Sequence, residues 1–73
     1  MNNQNSKPAL TEWAITTVNK AEDKINIVDR ISLIEIAKAT IKKGGWRGEI
    51  SDAWKQYCLD NDVDYHLIPD LYL

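Results

Sequence analysis

The sequence predicts an all-α fold, a small three-helix bundle with a C-terminal tail that folds back onto it. Apolar residues recur at helical spacing, residues that start and stop helices separate these stretches, and a proline interrupts the apolar C-terminal segment. The chain has 73 residues, and a domain of this size buries only about 60% of the surface that its unfolded chain exposes. A core this small gains stability by pairing, so a homodimer through the central helix is one expectation.

The first helix is predicted from Pro8 to about Lys24. Residues 1–7 are polar and lack an apolar anchor after the initiator, so we expect a disordered tail there and a single domain over residues 8–73. Pro8 suits the first turn of a helix because its missing amide hydrogen costs nothing there. The apolar stripe that follows comprises Leu10, Ala14, Thr17, Val18, Ala21 and Ile25.

The second helix is predicted from Asn26 to about Lys43. Asn26 can cap its start, Asp29 favours the positive end of the helix dipole, and the pair Gly44 and Gly45 is a good helix stop. On a helical wheel one broad face is expected to form the core, and it consists of Ile27, Ile31, Leu33, Ile34, Ala37 and Ile41.

A second apolar patch lies on the far side of this helix. It contains Val28, Ile36 and Ala39, and we expect it to be covered by the third helix, by another copy of the chain or by Trp46.

The third helix is predicted to follow the loop "GGWRGEI", with Ser51 as its cap and an end near Asn61. Its expected apolar residues are Ala53, Trp54, Tyr57 and Cys58. The tail "DYHLIPDLYL" is too apolar to stay in water, and Pro69 rules out a continuous helix through it. An alternative is an α+β fold with a short strand pair, because "KINIV" and "ISLIEI" partly alternate and are rich in isoleucine.

Composition predicts a cytosolic protein with two oppositely charged ends. Residues 1–48 carry a net charge of +3 and residues 49–73 a net charge of −5, a distribution that orients a partner without identifying it. The single cysteine, Cys58, cannot close an intramolecular disulfide. The N-terminus lacks the apolar core of a signal peptide, and no apolar run approaches the roughly 20 residues that span a bilayer. We therefore expect no membrane partner.

The stretch "LDNDVDYHLIPD" raises the question of a metal site. Asp60, Asp62 and Asp64 alternate and His66 follows, but the glycine and glutamate that complete a calcium loop are replaced by Tyr65 and Leu71. No second histidine or cysteine completes a zinc set. We expect Asp62 or Asp64 to cap a turn, with no metal and no other cofactor.

No catalytic residue is predicted, and we expect the chain not to be an enzyme. Cys58 and His66 could in principle meet, but Cys58 lies one helical turn from Trp54 on the apolar stripe, where cysteine is usually a buried hydrophobe. The paired carboxylates lack a cleft that would separate their pKa values.

Protein recognition is the leading functional expectation. Tryptophan, tyrosine and arginine are the most frequent binding anchors, and the candidate partner-binding residues are Trp46, Arg47, Glu49 and Trp54. We expect a small adaptor or inhibitor of another protein, of the kind that a phage or plasmid encodes. The alternative is a small nucleic-acid-binding regulator that uses Lys42, Lys43 and Arg47 against phosphates and Trp46 against a base.

Overall fold

The computed structural model describes residues 7–72 and has an all-α architecture. Its elements are three α-helices and two short 3-10 turns: α1 (Lys7–Lys20), α2 (Ile27–Lys42), α3 (Arg47–Asn61), η1 (Tyr65–Leu67) and η2 (Pro69–Tyr72). The predicted three-helix fold is confirmed. Over residues 7–72 the chain forms no strand, so the α+β alternative is wrong. The predicted disordered tail lies outside the described residues, except for Lys7 in α1.

The first helix ends at Lys20, four residues earlier than predicted. The amides of Lys24 and Ile25 donate to the carbonyl of Ala21 at 2.9 and 3.2 Å and form a tight turn. A helix running to Lys24 would leave only Ile25 and Asn26 before the start of α2, which is at the short limit for a connection between two helices. The turn instead buries Ala21 and Ile25 and makes α1 and α2 antiparallel neighbours.

The second helix begins and ends as predicted. The Asn26 side chain accepts a hydrogen bond from the Asp29 amide at 2.9 Å. At the other end, Gly44 has a φ of 78° in the left-handed region, and the Gly45 amide donates to the Thr40 carbonyl at 2.9 Å. These bonds satisfy helix-end groups that would otherwise lack partners.

The buried face of α2 is narrower than the predicted one. Leu33 and Ala37 are buried as expected, but Ile27 and Ile31 are about half exposed, and the unpredicted Thr40 is buried. The buried side of α2 is the one that faces α1 and α3. Ile27 and Ile31 lie on the outer edge of that side. Thr40 tolerates burial because its hydroxyl donates to the carbonyl one turn earlier, at 3.0 Å.

The far-side patch of α2 is covered only in part. Ile36 packs against the core, while Val28 and Ala39 remain exposed. Trp46 follows the opposite end of α2 from Val28, so it does not cover that end of the patch.

The third helix begins at Arg47, four residues before the predicted cap. Trp46 is the N-cap residue, without a side-chain hydrogen bond. Ser51 is not a cap. It is buried inside α3, where its hydroxyl donates a hydrogen bond to the carbonyl of Leu71 in the tail. The helix ends at Asn61 as predicted, and Asp62 adopts the left-handed conformation with a φ of 57°.

The hydrophobic core joins all three helices and the tail. Trp54 and Cys58 contribute from α3, but Ala53, which is also among the apolar residues predicted for this helix, is exposed. Ile68 and Leu71 are buried, so the predicted fold-back of the C-terminal tail is confirmed. The core consists of Leu10, Ala14, Ala21, Ile25, Leu33, Ala37, Ile50, Trp54, Cys58, Ile68 and Leu71.

Ser51→Ala is expected to loosen the tail and lower the free energy of unfolding by about 1–3 kcal/mol, because the buried Leu71 carbonyl loses its hydrogen-bond donor. Urea unfolding gives the global loss, and hydrogen exchange at the Leu71 amide reports local opening. Thr16→Ala on the exposed side of α1 is the control and should stay within about 0.5 kcal/mol of wild type. Equal stability of the two variants would contradict the role of Ser51.

Candidate functional site

The turn between α2 and α3 gathers most of the candidate residues at one end of the molecule. We call this region, residues 42–49, the α2–α3 corner. Its backbone is set by Gly44 in the left-handed conformation and by Gly45, where an added Cβ would meet the Glu49 carboxylate and the Thr40 methyl group. Lys43 Nζ lies 3.3 Å from Glu49 Oε2. The corner is therefore a constrained turn rather than the open loop that its two glycines suggest.

Trp46 is the most exposed tryptophan of the chain. Its side chain is 54% exposed, Trp13 is partly buried, and Trp54 is fully buried. One edge of the Trp46 ring lies against Gly48, where a Cβ would overlap ring atoms. The indole is thus supported from within the chain while much of its surface faces water.

Arg47 is the first residue of α3. The prediction that it lies in the loop before this helix is wrong. Its guanidinium lies 4.6 Å from the centre of the Trp13 ring, a cation–π contact that connects α3 to α1. Arg47 is half-buried. Much of its side chain is therefore engaged within the fold.

Trp54 is separated from the other three candidate partner-binding residues. It has no exposed surface and stacks on Tyr57 with ring centres 5.3 Å apart. The structure corrects its assignment, because a partner cannot reach Trp54 while the fold is intact. The sequence already pointed to this outcome, since Trp54 belongs to the helical stripe that also contains Cys58.

The nucleic-acid candidates Lys42 and Lys43 are both exposed in the α2–α3 corner, as Trp46 is. Lys43 is paired with Glu49, which offsets part of the positive charge at this end. The fold brings Arg47 into the same corner, with its guanidinium placed over Trp13. The three cations are therefore close along the chain but differ in their availability to a phosphate.

The acidic stretch after α3 forms a capped turn. Asp64 Oδ1 accepts a hydrogen bond from the His66 amide at 2.9 Å and lies 3.3 Å from His66 Nδ1. The prediction that Asp62 or Asp64 caps a turn is confirmed for Asp64. Asp60 accepts from the Gln56 amide group at 3.0 Å. Within residues 7–72, no three histidine, cysteine, aspartate or glutamate side chains come together as a metal site.

Cys58 is a buried apolar group, as predicted. Burial, reinforced by the negative charges of Asp29 and Asp64, raises the pKa of its thiol to about 11. The neighbouring Tyr57 donates a hydrogen bond to Asp29 Oδ1 at 2.6 Å, and this bond raises the pKa of the phenol. His66, the proposed base in a nucleophilic pair, has an exposed side chain.

The predicted charge separation follows the antiparallel order of α2 and α3. Lys42 and Lys43 end α2 where α3 starts, and the aspartates that follow α3 lie at the end where α2 starts with Asp29. Lys24 and Arg30 reduce the negative charge of that second end. Arg30 Nη1 lies 3.9 Å from Glu22 Oε1.

An apolar groove between α1 and α2 is the surface that sequence reasoning missed. Its volume is about 330 Å³, and its lining includes Ile15, Val18, Ile34, Lys38 and Ile41. The sequence did contain a signal, because Ile27, Ile31, Ile34, Lys38 and Ile41 recur at alternating spacings of four and three. That pattern is typical of a helix seam, although the same isoleucines are equally compatible with the predicted core face of α2.

None of the helices over residues 7–72 is long and apolar enough to cross a membrane. Comparisons of the chain with protein-family models, with curated proteins and with solved structures gave no significant match.

Proposed function

We propose that the chain is a small non-catalytic protein-binding module that acts as an adaptor or inhibitor through its α2–α3 corner. The observation that supports this proposal is the half-exposed Trp46 ring, held against Gly48 at the start of a helix. Tryptophan is among the residues that most often dominate binding energy. A side chain already held in place loses little conformational entropy when a partner covers it.

The surroundings of Trp46 indicate the chemistry of the partner. Lys42 and Lys43 are exposed where α2 ends, and Glu49 is paired with Lys43. A partner with an apolar pocket bordered by carboxylates would complement this arrangement, because opposite charges speed encounter and fix orientation.

Trp46→Ala is expected to weaken partner binding about 30-fold, equivalent to a loss of about 2 kcal/mol. The tagged chain is incubated with nuclease-treated lysate, and retained proteins are identified by mass spectrometry; the affinity of the recovered partner is then measured. Leu59→Ala is the matched control, because Leu59 is 61% exposed near the opposite end of α3. Circular dichroism should show equal helicity in both variants.

A partner retained equally by wild type and Trp46→Ala would contradict the proposed binding surface. Loss of binding in Leu59→Ala with Trp46→Ala unaffected would move the surface to the acidic end of the molecule.

The alternative, a nucleic-acid-binding regulator, is favoured by one observation: Lys42, Lys43 and the aromatic Trp46 are all exposed within the α2–α3 corner. Such a pair of cations and a stacking surface can bind single strands. Nuclease treatment would then release the retained material, and replacing both lysines with alanine would flatten the salt dependence of binding. The pairing of Lys43 with Glu49 makes this the second candidate.

A further inference from the structure

We propose that the α1–α2 groove is the contact surface between two copies of the chain, which together form an antiparallel four-helix bundle. This surface excludes Trp46 and the rest of the α2–α3 corner apart from Lys42 at its edge. The inference is therefore independent of the proposed function.

The first observation is a helix seam along the full length of α2. Ile27, Ile31, Ile34, Lys38 and Ile41 follow one another at spacings of 4, 3, 4 and 3 residues. This spacing keeps side chains facing a neighbouring helix in bundles and coiled coils. Ile34, Lys38 and Ile41 line the groove, and the half-exposed Ile27 and Ile31 continue the row beyond it.

The second observation is a shorter row on α1. Thr11, Ile15 and Val18 are spaced by four and three residues and line the opposite side of the groove. Ile15 is 56% exposed. Inside one chain, α1 enters the core through Leu10 and Ala14, and Val18 packs against that core while also lining the groove. Two parallel rows of this kind are what each helix pair contributes to the core of a four-helix bundle.

The size of this surface suits a homodimer. The 16 residues of α2 make a helix about 24 Å long, and two adjacent helices are about 20 Å wide. Because α1 has 14 residues and is about 21 Å long, the two helices together project about 450 Å², and the accessible area of a ridged helical surface is larger. Stable interfaces begin near 600 Å² per partner. Burial of the groove would also enlarge the small core of a 73-residue chain.

Charge selects the arrangement of the two copies. Glu12 is exposed on α1 next to the groove-lining Thr11, while on α2 the exposed Lys38 lines the groove and the exposed Lys42 follows one turn later. These positions are at similar heights, because Thr11 and Ile41 line the same groove from antiparallel helices. A two-fold axis parallel to the helices places α1 against the second copy's α2, so Glu12 of each copy faces Lys38 and Lys42 of the other.

The competing arrangement, with the axis perpendicular to the helices, places α2 against α2. It would bring Glu35, which is exposed near the middle of α2, close to its own counterpart, and like charges across an interface are unfavourable. The same face thus supplies both members of each ion pair, which is a property of self-association. A helix from an unrelated protein would have to supply the matching charges itself.

Sedimentation equilibrium of the full chain from micromolar to millimolar concentration tests the proposal. Wild type should approach twice the monomer mass of 8.4 kDa. Ile15→Lys should raise the dimer dissociation constant by about 100-fold, because it buries a charge in an apolar contact. Leu59→Lys, at a comparably exposed position on α3, should leave the constant unchanged. Circular dichroism checks that both variants keep their helicity.

A charge-reversal series tests the arrangement. Glu12→Lys should weaken the dimer about threefold, and adding Lys38→Glu and Lys42→Glu to it should restore the wild-type constant. Trp46→Ala should leave dimerisation intact, which separates this inference from the proposed function. A wild type that stays monomeric at millimolar concentration would overturn the inference and leave the groove to a helix of another protein. Equal effects of Ile15→Lys and Leu59→Lys would overturn it as well.

Discussion

Trp54→Ala should lower the free energy of unfolding by about 3–5 kcal/mol, which is the usual cost of removing a large buried aromatic side chain. Trp54 has no exposed surface and is the largest fully buried side chain of the described core. Small domains are stable by only about 5–15 kcal/mol, so this single change should unfold a large part of the population. Urea unfolding followed by circular dichroism measures the effect.

Two further variants serve as comparisons for the Trp54→Ala measurement. Leu59→Ala, on the exposed side of the same helix, should change stability by no more than about 0.5 kcal/mol. Trp54→Phe should cost less than Trp54→Ala, because it keeps an aromatic ring and removes an indole N–H that is buried with no hydrogen-bond partner among the described residues. An unchanged urea midpoint in Trp54→Ala would contradict the core described above.

The free energy of unfolding should fall by about 2–3 kcal/mol between pH 9 and pH 11 because of Cys58. Burial raises the pKa of this thiol from its ordinary value of 9.0 to about 11. Above pH 9 the thiol ionises more readily in the unfolded chain than in the folded one, so the unfolded state gains stability. The contribution of the neutral thiol is therefore complete below pH 9 and is lost as the pH rises through 11.

Cys58→Ala isolates this effect from other groups that titrate in the same range. Tyr57 also has a raised pKa, chiefly because it donates a hydrogen bond to Asp29, and its contribution is lost in the same direction above pH 10. The difference in unfolding free energy between wild type and Cys58→Ala should therefore shrink from pH 9 to pH 11, while the Tyr57 contribution remains in both. A constant difference across this range would contradict a buried neutral thiol.

Local chemistry made the second helix predictable. The Asn26 cap and the glycine stop at Gly44 act within a few residues of the chain, so their effect does not depend on what packs nearby. The capping role of Asp64 is equally local. The start of α3 was missed for a related reason: Trp46 makes no side-chain cap, so the sequence pointed to Ser51, the next residue able to form one.

The candidate site was predictable only as a stretch of sequence. The exposed Trp46 follows from the helix stop that precedes it, and the paired Lys43 and Glu49 lie six residues apart. The contact between Arg47 and Trp13 joins residues that are 34 positions apart, so no local pattern reveals it. The half-exposed seam of α2 is a similar case, because the spacing of its isoleucines is equally compatible with a buried core.

The sequence by itself determined the helical class, the limits of α2, the end of α3 and the return of the apolar tail. Each of these depends on backbone capping or on how much apolar side chain a short chain must remove from water. Tertiary structure decided which part of each apolar stripe is buried, and it recruited Ser51 to hold the tail and placed Arg47 over Trp13. Burial depends on which elements flank a helix, and that geometry arises only when distant parts of the chain pack together.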